Sequence, residues 1–172
     1  VNGLTLDADL RWYIFLCGVK RGIYGPTEIA AEGERDKTAH GKQYVAFAHA
    51  AIPTREAKAA AFKSVTTDDL SNSIHSYKCR GFNESIHGEL LEGFVDEYFD
   101  AILKVWETKG YEIAETTATL TFPTWAISEA TVTKAQHWLD VTGKDASHAL
   151  RRSVIEGRDA MTRALKARAV DA

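Results

Sequence analysis

Apolar residues recur at three- and four-residue spacing along nearly the whole of this chain, and nowhere alternate with polar ones over the length of a strand. That pattern restricts the chain to packed helices. It is clearest over 87–107, where Leu91, Phe94, Val95, Tyr98, Ile102 and Trp106 fall on one side of a predicted helix. Glu89, Glu92, Asp96 and Asp100 fall on the opposite side, and no Lys or Arg interrupts 84–103. The acidic stripe lacks His or Asn to complete a compact ligand set, so it reads as a solvated helix face.

Start and stop signals divide the rest. Asp7 or Asp9 caps a first helix reaching about Val19, and Lys20-Arg21-Gly22 stops it. Pro26-Thr27-Glu28 opens a second, ending near Asp36, and Thr38 or a residue close to it starts a third that runs through Ala51. Pro53-Thr54-Arg55-Glu56 opens a fourth over 57–65, whose Ala-rich core has high helix propensity. A fifth covers 69–79, closed by Arg80-Gly81. Beyond the helix over 87–107, Lys109-Gly110 leads into 111–120 and Phe122-Pro123 breaks the chain. Ser128-Glu129 starts a helix to Val141, and Gly143-Lys144-Asp145 turns into the last, over 146–168.

The expectation is therefore a single all-α domain over 1–172, of about nine helices. Short turns favour antiparallel pairs of roughly 30–40 residues, stacked as a HEAT- or armadillo-like α-superhelix. The chain opens on Val1, carries its one methionine at Met161 and enters a helix almost at once, so it is expected to be a piece of something longer.

Composition excludes several functional classes. A net charge of −3 argues against a nucleic-acid partner for the chain as a whole. Within 146–170 the balance reverses: Arg151, Arg152, Arg158, Arg163, Lys166 and Arg168 face only Glu156 and Asp159. Interspersed Ala, Leu, Val and Met give that segment a packing side, so its charges are expected on solvent or paired within the fold. No apolar run approaches the ~20 residues of a membrane span, and no membrane partner is expected. Cys17 and Cys79 each lie in an apolar-periodic stretch and read as buried thiols of a reducing, cytoplasmic compartment, with a disulfide between them as the alternative.

Catalytic patterns are missing. The histidines are His40, His49, His75, His87, His137 and His148, and no two stand four apart as a zinc helix requires. His87-Gly88-Glu89 is the nearest approach, with Leu91 where a second His would be needed. There is no phosphate loop, dinucleotide fingerprint or G-x-S-x-G elbow. Trp12, Trp106 and Trp138 read as core anchors, while Trp125, in the loop after Pro123-Thr124, is the best candidate for an exposed aromatic contact. No catalytic, cofactor-binding or metal-binding residue is assigned in this chain.

Four stretches carry a resemblance. Gly3-Leu4-Thr5-Leu6-Asp7-Ala8-Asp9-Leu10-Arg11-Trp12 resembles a GL-x-LD-x-DLRW stretch in the C-terminal helical domain of actinobacterial aminopeptidase N. Asp36-Lys37-Thr38-Ala39-x-Gly41 is similar to that family's D-x-T-x-x-G turn. Pro53-Thr54-Arg55-Glu56-Ala57-Lys58-Ala59-Ala60-Ala61-Phe62 resembles its PT-x-EAKAAAW helix, with Phe62 where Trp is usual. Ala149 through Ala169 resembles its closing helix, and the weakest correspondence lies over 68–122. The resemblance implies a zinc metalloaminopeptidase whose His-Glu-x-x-His and Gly-x-Met-Glu-Asn motifs lie upstream. This chain would be its non-catalytic helical bowl, closing over the active site and limiting peptide access. The implied partners are the catalytic domain of the same parent chain and the peptide substrate, and the implied cofactor is zinc in the parent alone. The alternative is an independent helical-repeat scaffold that binds a peptide or protein on its concave side. A zinc motif in the reading frame upstream of Val1 separates the two.

Overall fold

The Asp7 carboxylate accepts a hydrogen bond from the backbone N–H of Leu10 at 2.8 Å and starts α1 (Ala8–Lys20). In the computed structural model, residues 6–84, 86 and 88–170 are described; Gly3 to Thr5 of the opening motif and His87 lie outside them. Gly22, at φ 70°, ends α1: its N–H bonds to the Val19 carbonyl and the Ile23 N–H to that of Gly18, both at 2.9 Å. α2 (Pro26–Arg35) has proline at its first position, where the missing N–H costs nothing. Thr38 caps α3 (Ala39–Ala51), Thr54 caps α4 (Arg55–Thr67) and Ser128 caps α8 (Glu129–Asp140), each through its hydroxyl. Between them lie α5 (Asn72–Asn83), α6 (Phe94–Thr108) and α7 (Tyr111–Leu120), and α9 (His148–Val170) closes the chain. The described residues contain these nine helices, one 3-10 turn over Gly88–Leu90 and no strand, so the protein is all-α.

Two expected boundaries move. α5 starts later than expected and runs through Arg80-Gly81 to Asn83. A Cβ on Gly81 would collide with the Phe47 carbonyl of α3, so this glycine serves close approach between helices, not termination. The helix expected over 87–107 begins at Phe94, because the glycines at 88 and 93 leave only a 3-10 turn before it.

The packing sorts the helices into two layers. α1 packs on α3, α3 on α5, α5 on α7 and α7 on α9, while α4 packs on α6 and α6 on α8. Links between the layers, such as α3 to α4 and α8 to α9, join helices adjacent in sequence. The larger core runs from Phe62 and Phe82 through Tyr98, Phe99 and Phe122 to Trp138 and Met161. Phe62, Phe82 and Phe94 meet with ring centroids 5.3–5.5 Å apart, which locks α4, α5 and α6 together. A smaller core of Leu16, Val19, Ile29, Ala48 and Ala51 joins α1 and α2 to α3. The apolar side predicted for α6 is the buried one, with Trp106 half-buried against Tyr111.

Candidate functional site

Two of the stretches that carry the resemblance meet in space. Trp12, fully buried on α1, donates its indole N–H to Asp36 Oδ2 at 2.8 Å. The Thr38 hydroxyl and backbone N–H both reach Asp36 Oδ1, at 2.7 and 3.2 Å, and the Gly41 N–H returns to the Thr38 hydroxyl at 3.0 Å. Arg11, beside Trp12, pairs with Glu32 of α2. The hydrogen bonds from Thr38 and then Trp12 hold the Asp36 carboxyl below its usual range. Every donor that reaches this carboxylate comes from a turn or a core anchor. These motif residues fasten the α2–α3 turn to α1.

The third stretch hides a buried cation. Lys58 of α4 is 0% exposed, and its Nζ donates to the carbonyls of Ala50, Gly81, Phe82 and Glu84, all at 2.9 Å. Ala50 lies in the last turn of α3, Gly81 and Phe82 in the last turn of α5. The ammonium therefore sits where two helix dipoles point their negative ends. Burial pushes it down to about 8, with Glu84 opposing that shift. Sequence reasoning saw only helix propensity here, because a Lys within an Ala run has no signal for burial.

A Cys–His pair also appears. His75 Nε2 lies 3.0 Å from Thr117 Oγ1 and 3.5 Å from Cys79 Sγ, all three residues buried between α5 and α7. The Thr117 hydroxyl donates to the Ile113 carbonyl at 2.8 Å, so it accepts from His75 Nε2–H and leaves Nδ1 as a bare acceptor without a partner. Burial pushes the Cys79 thiol up to about 12, so it carries no thiolate nucleophile. Cys17 differs from its expectation in being only half-buried, and both thiols are free.

Burial, and behind it the charges of Lys78 and Lys109, push the His75 pKa below its usual 6.5. The sign follows: the unfolded chain takes up a proton near pH 6.5 that the folded chain refuses. His75 thus contributes stability above about pH 6.5 that is lost as pH falls below it, by up to about 1.4 kcal/mol per unit. Urea denaturation at pH 7.5 and 5.5 is expected to show this loss, and His75→Gln to flatten it. An equal slope in the variant would assign the dependence elsewhere.

The remaining sequence candidates serve packing. Trp125 is not an exposed contact: it packs edge-on to Phe82 at 5.8 Å against the larger core, because the loop after Pro123 folds back. The acidic stripe stays on the surface, with Asp96 paired to Lys134 of α8. In the basic segment, Arg151 donates to the carbonyls of Leu139 and Gly143 at the end of α8, at 2.7 and 2.6 Å. Arg152 pairs with Glu156, and Arg158 with Asp159 and Gln136. Between α8 and α9 lies an open groove of about 710 Å³, lined in part by Gln136, His137, Asp140 and Arg158. Among the described residues no three His, Cys, Asp or Glu side chains gather closely enough to hold a metal. No helix among them is long and apolar enough to cross a membrane.

Residues 1–163 match a family of known proteins, the ERAP1-like C-terminal domain. The chain is also 39% identical, over 173 aligned residues, to an aminopeptidase N of Streptomyces lividans. That match takes in all of this chain and 20% of the relative's length. It falls in the relative's C-terminal part, which bears out the resemblance carried by the four stretches.

Proposed function

Because the chain belongs to the ERAP1-like C-terminal domain family, we propose that it caps the active site of an aminopeptidase N-like zinc peptidase and limits which peptides enter. It is the C-terminal domain of an aminopeptidase N-like protein. The single observation behind the capping role is that match to the C-terminal fifth of an aminopeptidase N. The interior agrees with a supporting part. Buried Lys58 is bonded to backbone carbonyls, buried Asp36 to Trp12 and Thr38, and buried His75 to Thr117, so these polar groups serve the packing of the helices.

In this reading zinc and the groups that grip a substrate's amino terminus belong to the parent's catalytic domain, in the same chain and the same cytoplasmic compartment. When bound there, zinc would polarise the scissile carbonyl and activate water. The helical layers supply a wall whose spacing from that centre sets how long a peptide fits. The purified 172-residue chain is expected neither to retain zinc through dialysis nor to hydrolyse an alanyl anilide. Zinc-dependent turnover by the chain alone would overturn the assignment of the chemistry to the catalytic domain.

A further inference from the structure

Asp9 at the start of α1, His40 at the start of α3 and Tyr77 of α5 meet across three neighbouring helices of one layer. His40 Nε2 lies 2.9 Å from the Tyr77 phenol oxygen, and its Nδ1 lies 3.5 Å from Asp9 Oδ1. An ionised carboxylate can only accept, so Asp9 draws the imidazole proton to Nδ1 and leaves Nε2 to accept the phenolic proton. The His40 side chain is 47% exposed, so a reagent in solution reaches this pair. The His75–Cys79 pair, by contrast, is sealed between α5 and α7. Aromatic packing fixes the surface constellation. Tyr44 stacks on buried Trp12 at 5.4 Å, lies against the His40 ring at 4.6 Å and meets Tyr77 edge-on at 5.7 Å.

We propose that Tyr77 is a modification site for activated carboxylic esters, its phenol deprotonated by His40 as it attacks. A hydroxyl hydrogen-bonded to a base that a third group orients is the arrangement that activates a nucleophile, whatever the order of its members in sequence. In the step, the phenolic oxygen forms a bond to the ester carbonyl carbon while its proton passes to His40 Nε2. The bond from that carbon to the alkoxide or aryloxide then breaks, and the leaving group departs with the electron pair. Tyr77 is left as an O-acyl ester, and the imidazolium returns its proton to solvent. The Arg80 guanidinium, 5.8 Å from the centre of the Tyr77 ring, favours negative charge on this phenol as it develops. Tyr44 does not compete, because burial, and behind it the charge of Asp9, pushes its phenol up.

The inference is independent of the capping role, and a parent that shows no peptide-length gating would leave it standing. Acetylation of the intact parent by p-nitrophenyl acetate, read as adducts on individual peptides by mass spectrometry, tests it. Tyr111 is the internal comparison. It is 61% exposed where Tyr77 is half-buried, and its phenol donates to the Glu115 carboxylate, a far weaker base than imidazole. Tyr77 is expected to be acetylated at least about tenfold faster than Tyr111. His40→Gln is expected to bring Tyr77 down to the rate of Tyr111 or below, with the Tyr111 rate unchanged. Asp9→Asn is expected to slow Tyr77 at least about threefold and Asp9→Glu to recover the rate, and equal rates in these two would overturn the orienting role. Both substituted positions are exposed, so the core is left intact. Similar rates at Tyr77 and Tyr111 in the wild type would overturn the proposal, and so would a Tyr77 rate that His40→Gln leaves unchanged.

Discussion

Lys58→Met is expected to lower the stability of this domain by about 3–5 kcal/mol, the cost of leaving several buried carbonyls without a donor. Methionine fills most of the volume of the lysine stem, so the loss is one of charge and donors, not of packing. The carbonyls of Ala50, Gly81, Phe82 and Glu84 then face a thioether methyl group. Each buried acceptor left without a donor costs on the order of 1 kcal/mol or more. Glu84 O is only partly buried and recovers part of this from water, which keeps the total below the sum of four full penalties. For a domain of this size the thermal midpoint should fall by about 10 °C. Lys58→Arg is also expected to destabilise, because a planar guanidinium cannot direct three donors at a cluster built around a compact ammonium. A thermal scan of both variants checks this, and a midpoint within about 2 °C of wild type for Lys58→Met would contradict the anchoring role.

Gly81→Ala carries the second large effect, at the same junction. The new methyl group would overlap the backbone carbonyl of Phe47 and crowd Ala50 Cβ. A backbone carbonyl inside α3 cannot rotate away, so α3 and α5 must separate. That separation loosens the contacts made by Phe82 and stretches the hydrogen bonds from Lys58 to Ala50 and Gly81. Overpacking of this kind costs about 1–3 kcal/mol, occasionally more, and the loss of Lys58 geometry puts Gly81→Ala at the upper end. Gly110→Ala is the matched control, because nothing lies within 4 Å of a Cβ at that position. As the N-cap of α7 it is expected to lose no more than about 1 kcal/mol, the preference for glycine over alanine at that position. Urea midpoints for the pair decide the matter, and equal midpoints would show that α3 and α5 have slack at this crossing.

Both effects centre on residues that the sequence presents as ordinary. Helix starts are well encoded, since Asp7, Thr38, Thr54 and Ser128 each cap the helix they precede by the local rule that predicts them. The core side of α6 is equally legible, because 3.6-residue periodicity is a property of the sequence itself. Gly81 is not legible in this way. After a basic residue, a glycine that ends a helix and one that lets two helices touch look the same until the partner helix is placed. Lys58 is hidden for a related reason: its four acceptors come from α3, from α5 and from Glu84 just beyond, up to 26 residues away. Trp125 misleads in the opposite direction, since a tryptophan in a proline-bounded loop gives no sign that the loop folds back onto Phe82.

The same contrast applies to the motifs that name the family. Trp12, Asp36, Thr38 and Gly41, drawn from two of those stretches, form one hydrogen-bonded corner. Lys58, in the helix stretch, likewise joins α4 to the ends of α3 and α5. The signature of this domain is structural, and for that reason it identifies the parent without revealing any chemistry. In the proposed capping role, the domain acts on catalysis through shape and position.

The most direct test of that role measures kcat/KM for an alanyl anilide and for a series of peptides of increasing length. The intact parent is compared with a parent ending before Val1, alone and with the 172-residue chain added back. If the domain gates peptide entry, anilide turnover survives truncation, the dependence on peptide length is lost, and adding the chain restores it. An unchanged length profile in a truncated enzyme that still cleaves the anilide would contradict that role.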